Sequence, residues 1–371
     1  MPLEQTSRLP FTDNFAVHVQ LRISSSRNGY LADISADWSN WHRFHIGLTP
    51  QDVAELNMEL QRAVEQVSGN LEMNGSCGDA LSQLILKGNF AFKKVFPQGV
   101  PREMISKALK TGATIQFSSE DFFIPWELLY DGPLGGQADV SYFWGMRHIV
   151  SRALIQDARP GDLESPVIQS LRPHVGLIAC NNLEYVVKRE IPALRKLHRG
   201  KQIHLLFCHP MNVNQRDKEL EGFGRFLRKN IQIAHLACHA RKEQQIFQSY
   251  LLVSNDFPIT IEDFGTREFE IKYRPFVILN ACLTGTINPL HTANWAAEFW
   301  KRGARGVLAT EFHVPDSFAA AFTEELYNHF LSGMPIGEAL LATRRHFWEQ
   351  QSNPLGLAYA LYSSPSIRIA K

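Results

Sequence analysis

From His174 onward, short apolar runs alternate with amphipathic stretches of helical period, and nothing else in the chain narrows its possible folds as far. HVGLIAC (174–180), QIHLLFC (202–208), IQIAHLAC (231–238), RPFVILNAC (274–282) and GVLAT (306–310) read as buried strands. EIPALRKLHRG, LEGFGRFLRKN and ANWAAEFWKRG read as the helices between them, the first closed by its glycine. QSYLLVSNDFPITIEDF reads as a hairpin. DSFAAAFTEELYNHFLSG and IGEALLATRRHFWEQQ make a long helical tract, and LAYALYSSPSIRI ends the chain as a final strand. Strands separated by helices predict an α/β fold, a mainly parallel sheet with helices on both faces.

A region of different texture comes first, separated by the proline-rich stretch 157–173. It opens with the strand-like FAVHVQLRI, in which Val17, Val19, Leu21 and Ile23 alternate. A helix follows with Thr49 as N-cap, Pro50 at its first position, and Val53, Leu56, Leu60, Val64 and Val67 on one face. A second helix is expected over 101–111, then the strand-like ATIQFSS and the segment FFIPWELLYDG. Arg152 to Leu154 read as the exit of this unit, and His42 and His45 as packing or surface residues. The expected domains are therefore a smaller α+β region at 1–156 and an α/β domain at 170–371.

Composition excludes several classes. Of 371 residues, 44% are hydrophobic and 20% charged, and 38 Lys plus Arg nearly balance 37 Asp plus Glu. Nothing electrostatic points to nucleic acid or to an anionic membrane. No stretch approaches the roughly 20 apolar residues of a membrane span, and MPLEQTSRLPFTDNF lacks the apolar run of a signal peptide. Cys77, Cys180, Cys208, Cys238 and Cys282 are odd in number and scattered, which suits free thiols in a reducing cytoplasm.

Two strand ends carry candidate chemistry. HLACHA (235–240) ends one run at His239, and LNACLTG (279–285) ends another at Cys282. In an open α/β sheet the loops beyond the strand carboxyl ends hold the reacting groups. Neighbouring strands ending in His and Cys would set an imidazole beside a thiol, the minimum for thiolate nucleophilic catalysis. Backbone N–H groups at Cys282 and Ala240 are candidates for an oxyanion hole. A metal reading of His235, Cys238 and His239 fails on alternation, which sends both histidines to one face and Cys238 to the other. Gly222 and Gly224 are too sparse for a phosphate loop. No metal and no cofactor are expected.

This pattern resembles the CHAT domains of the caspase-like cysteine peptidase superfamily, which includes caspases, metacaspases and separase. The CHAT signature joins a His-x-x-x-His-like strand end to Ala-Cys-x-Ser/Thr-Gly, here HLACHA and NACLTG. The stretch from FWKRGARGVLATEF to GMPIGEAL and the upstream IPWELLYDG (124–132) are similar to CHAT sequences as well. The resemblance implies His239 as catalytic histidine and Cys282 as nucleophile, with oxyanion donors at Cys282 and Ala240. The family usually carries Gly after the His; Ala240 departs from it, and a required φ > 0 there would deform the hole. It further implies that Asn280, two residues before the Cys, lines the substrate pocket. Glu311 and Asp316, just past the fifth strand, would favour a substrate Arg or Lys, although Asp316 could equally cap the helix that follows. Trp126 and Glu127 are expected to dock the first region, itself a candidate degenerate caspase-like unit, against the peptidase sheet. The implied function is a cytoplasmic endopeptidase that cleaves a protein partner through a thioester in a regulated antiviral or cell-death system, CRISPR-associated or otherwise. An activating sensor would be a separate protein. The competing reading is a catalytically silent scaffold of the same fold.

Overall fold

The computed structural model of the protein describes residues 17–36, 40–72, 77–135, 139–154, 165–241, 243, 245–254, 257–283 and 289–370. The first region builds a five-stranded sheet in the order β3-β2-β1-β4-β5. Its elements are β1 (Val19–Ser26), β2 (Gly29–Ser35), β3 (Trp41–Ile46), α1 (Pro50–Glu72), α2 (Gly78–Val95), α3 (Val100–Ala108), β4 (Thr114–Ser119), α4 (Trp144–Arg147) and β5 (Ile149–Leu154). β1, β4 and β5 run parallel, while β2 and β3 are antiparallel additions. Val19, Leu21 and Ile23 are buried as their alternation requires, and α1 buries Val53, Leu56, Leu60, Val64 and Val67. Thr49 and Asp52 cap α1 reciprocally: each side chain accepts the other's backbone N–H.

Two details differ here. The helix α2 is not among the expected elements, because its apolar positions are interrupted by Gly88 and its N-cap is Cys77, with no side-chain cap. Gly88 is there for contact: a Cβ on it would stand 2.3 Å from the carbonyl oxygen of Leu128. The helix expected over 101–111 is the shorter α3. Arg152 to Leu154 are the last residues of a paired strand, β5.

The second region contains β6 (Val167–Ile168), β7 (His174–Ala179), α5 (Ile191–Arg199), β8 (His204–Phe207), α6 (Arg216–Leu227), β9 (Ile233–Arg241), β10 (Tyr250–Val253), β11 (Phe257–Thr260), α7 (Ile261–Arg267), β12 (Phe276–Leu283), α8 (Pro289–Lys301), β13 (Gly306–Thr310), α9 (Asp316–Leu331), α10 (Ile336–Gln351), β14 (Tyr359–Tyr362) and β15 (Arg368–Ile369). Its sheet centres on the parallel strands β8, β7, β9, β12 and β13. β14 closes one edge antiparallel to β13, and the β10–β11 hairpin pairs with the upper end of β9. One face, with Ile233, Phe276 and Ile278, packs against Leu194 of α5 and Phe330 of α9. The other, with Ala234, Leu236, Val277 and Leu279, packs against α6, α7 and α8 through Phe223, Phe264 and Phe299. Helices thus cover both faces of a mainly parallel sheet.

Some details differ from expectation. Gly200 follows α5 with φ −70°, and the left-handed residue is its neighbour Lys201 at φ 58°. The segment read as a hairpin also contains α7, started by a Thr260–Asp263 capping box. The terminal strand splits into a 3-10 turn, β14, and β15, which pairs with β6 inside the expected linker. Residues 157–164 of that linker lie outside the described residues. No helix among the described residues is long and apolar enough to cross a membrane.

Candidate active site

The chain leaves β7 through α5 toward β8 on one side and returns through α6 to β9 on the other. This change of direction makes the switch point of the sheet, and open α/β sheets bind ligands outside the strand carboxyl ends at such a point. β9 pairs with β7 over Ile233–Ala237 and with β10 over His239–Arg241, so its neighbour changes between Ala237 and His239. On its other side β9 pairs with β12 in parallel register. The last two rungs are Cys282 opposite His239 and Leu283 opposite Ala240. Paired residues of adjacent strands share a face. His239 is half-buried, while Cys238 is buried in the opposite layer, as alternation predicts. Ala240 is not among the residues with left-handed backbone, so its Cβ meets no φ > 0 requirement. Thr284 and Gly285, which follow Cys282 and Leu283, lie outside the described residues.

The expected pocket residues are placed unequally. Asn280 is buried two rungs beneath Cys282, and both ends of its amide are engaged. Its Nδ2 donates to Oε1 of Glu190 at 2.7 Å, and its Oδ1 accepts from the Tyr359 hydroxyl at 2.7 Å. Asp316 is half-exposed at the start of α9. It makes no side-chain cap and instead accepts the backbone N–H of Tyr185 at 3.4 Å, beside the loop leaving β7. Glu311 is only 1% exposed. Its carboxylate accepts from Arg152 at 3.0 Å and from the Tyr362 hydroxyl at 2.6 Å. A substrate cation would have to displace Arg152 to reach it. Burial pushes the Glu311 carboxyl up to about 7 against the pull of Arg152.

Two buried polar clusters were not foreseen. Arg152 makes a bidentate pair with Glu127 at 2.8 and 2.6 Å, and Arg344 of α10 donates to the same carboxylate at 3.4 Å. Arg344 also donates to the backbone oxygens of Gly145, Gly356 and Tyr359. Glu127, expected to dock the two regions, thus sits in an ion cluster that joins β5 to β14 and α10. Trp126 stacks on Phe117 at 3.7 Å. The second cluster surrounds Glu190, whose Oε1 also accepts from His235 Nε2 at 2.7 Å, while the Tyr327 hydroxyl meets His235 Nδ1 at 3.3 Å. A charged residue inside an apolar run, as in IVSRAL and REIPAL, was the available signal for both clusters. Among the described residues, no group of three or more His, Cys, Asp or Glu is placed to hold a metal ion.

A mainly parallel sheet with helices on both faces, in this strand order, is a caspase-like fold. The CHAT domain profile matches residues 102–366, and the chain belongs to the CHAT domain family. Two crystal structures of the Saccharomyces cerevisiae separase–securin complex share its fold, with TM-scores of 0.56 and 0.55 at 11% and 12% identity. The similarity covers 95% of this chain and 30% of theirs. No curated protein matches the sequence.

Proposed function

We propose that the protein is a cysteine endopeptidase, with Cys282 as nucleophile and His239 as its base and acid. The observation that carries this reading is the register that sets Cys282 opposite His239 at the carboxyl end of two central strands. The thiolate attacks the scissile carbonyl, and the N–H groups of Cys282 and Ala240 hold the resulting oxyanion. The imidazolium protonates the leaving amine, and a thioester remains. Water activated by His239 then hydrolyses it. Asn280 contributes to the pocket wall. With Glu311 already paired to Arg152, Asp316 at the rim is the acid that favours a basic substrate side chain. The substrate is a protein partner, and a separate activator releases the enzyme within a prokaryotic defence or cell-death system in the cytoplasm.

Peptidyl acyloxymethyl ketones with Arg or Lys at the reacting position test this directly. Wild type should form a covalent adduct at Cys282, seen by peptide mapping, and His239→Ala should slow it by at least about a thousandfold. The same loss is expected in cleavage of a protein substrate by Cys282→Ala. Equal cleavage by wild type and Cys282→Ala would leave the scaffold reading in its place.

A further inference from the structure

The sheet of the second region has three margins, and two of them are closed. β14 lies against β5 of the first region. β11 holds Pro258, which has no N–H to offer, and the Pro258 carbonyl already accepts from Arg216 at 2.8 Å. The third margin is β8, which among the described residues pairs with β7 alone. The His204 N–H donates to the Pro173 carbonyl and the Cys208 N–H to that of Leu177, each at 2.9 Å. Even-numbered residues of β8 thus face β7, and the main-chain groups of Leu205 and Phe207 point away from the sheet.

The start of this edge is guarded. Arg172 Nε donates to the Ile203 carbonyl at 3.1 Å, and His198 Nδ1 lies 3.3 Å from the Leu205 nitrogen. Beyond that point the Leu205 carbonyl and the N–H and carbonyl of Phe207 meet no partner among the described residues. Phe207 is 44% exposed, with the Arg195 guanidinium of α5 5.4 Å from its ring centre. On the opposite face Leu206 is half-buried against the layer of α6.

Charge here is one-sided. From Ile191 to Arg216 the chain holds no Asp or Glu, and Arg195, Lys196, Arg199 and Lys201 are all exposed. The acids that follow are already engaged, Asp217 with Arg267 and Glu219 with His209. A second copy paired edge to edge would set these cations against one another. A nucleic acid would meet the cations, but the outward carbonyls of Leu205 and Phe207 repel phosphate. We propose that the β8 edge docks an extended acidic segment of a partner protein, which adds a strand beyond Leu205–Phe207. Its carboxylates face Arg195 and Arg199, and its intervening apolar side chains lie beside Leu206. Main-chain bonds hold the segment and charge selects it. The docking requires no catalytic step.

The probe is a fluorescein-labelled peptide of about ten residues that alternates Glu and Val, with the full chain titrated against it by fluorescence anisotropy. It should bind at least about tenfold more tightly than the matching Lys–Val peptide, and added salt should weaken it. Phe207→Pro removes the outward N–H without touching the bonds to β7, and should lower the affinity at least about tenfold. An absence of binding, equal affinity for the two peptides, or unchanged affinity in Phe207→Pro overturns the proposal. So does a single-stranded RNA of about ten nucleotides that displaces the probe at lower concentration than the unlabelled Glu–Val peptide does. Should Phe207→Pro not fold, the exposed pair Arg195→Glu and Arg199→Glu should reverse the preference toward the Lys–Val peptide, and an unreversed preference overturns the proposal.

Discussion

At the scale of the residue, the ion pairs most costly to break in this molecule are buried. Arg152 is 5% exposed between two carboxylates. Removing one member of a buried ion cluster leaves the others charged and dry, which costs about 3–5 kcal/mol. Arg152→Met should lose that much in urea unfolding. Glu311 has the opposite character. Its folded-state value near 7 lies above its ordinary 4.5, so the folded protein holds a proton that the unfolded chain releases. Its stabilising contribution is therefore full below about pH 4.5, falls as pH rises toward 7, and changes no further above that. Melting temperatures of Glu311→Gln and wild type, compared at pH 5 and pH 7, should differ in slope, with the steeper alkaline loss in wild type. Tyr359→Phe removes a single hydroxyl from Asn280 while its ring stays stacked on Phe322 at 4.0 Å. It should cost about 1–3 kcal/mol, the penalty of a buried acceptor left without a donor.

At the scale of the element, apolar patterning explains most of the fold, and close contact explains the exceptions. The strands of the second region are legible because both their faces are buried, so each is an apolar run with few interruptions. The helix α2 is not legible for a corresponding reason. Its central glycine is set by a neighbouring carbonyl and carries no helix signal of its own. Gly88→Ala should lower stability by about 1–3 kcal/mol despite the better helix propensity of alanine, and chemical denaturation would register the sign. The same holds for the turn before α5. The sequence REIPAL marks a helix start through its proline, but not the widened turn that aims Glu190 inward.

At the scale of the whole molecule, the two regions are joined through a charged core. β5 lies against β14, the Arg152 guanidinium stands 5.2 Å from the Tyr362 ring centre, and Arg344 of α10 bonds to Glu127 and to the carbonyl of Gly145. Trp126, Phe143 and Trp144 belong to one apolar cluster with Phe322, Leu357 and Tyr359. A fragment of residues 170–371 would expose that surface and take from Arg344 and Glu311 their charged partners, Glu127 and Arg152. It should lack a cooperative thermal transition in circular dichroism, whereas the full chain should unfold in one. A separately folded, monomeric fragment would show that the charged seam is dispensable.

The main strands and most helices of the second region, and its mainly parallel sheet, were readable in the chain, because burial on both faces writes itself as apolar runs and helical period. Glu311 shows where such reading stops: its place after the fifth strand is a matter of sequence, whereas its burial against Arg152, 159 positions away, is a matter of packing. The pairing of Glu190 with His235 and Asn280 is of the same kind. Partners so distant in sequence leave no periodic trace. They meet only once the strands have found their register, and it is then that a lone charge in an apolar run acquires its counter-charge or its hydrogen bonds.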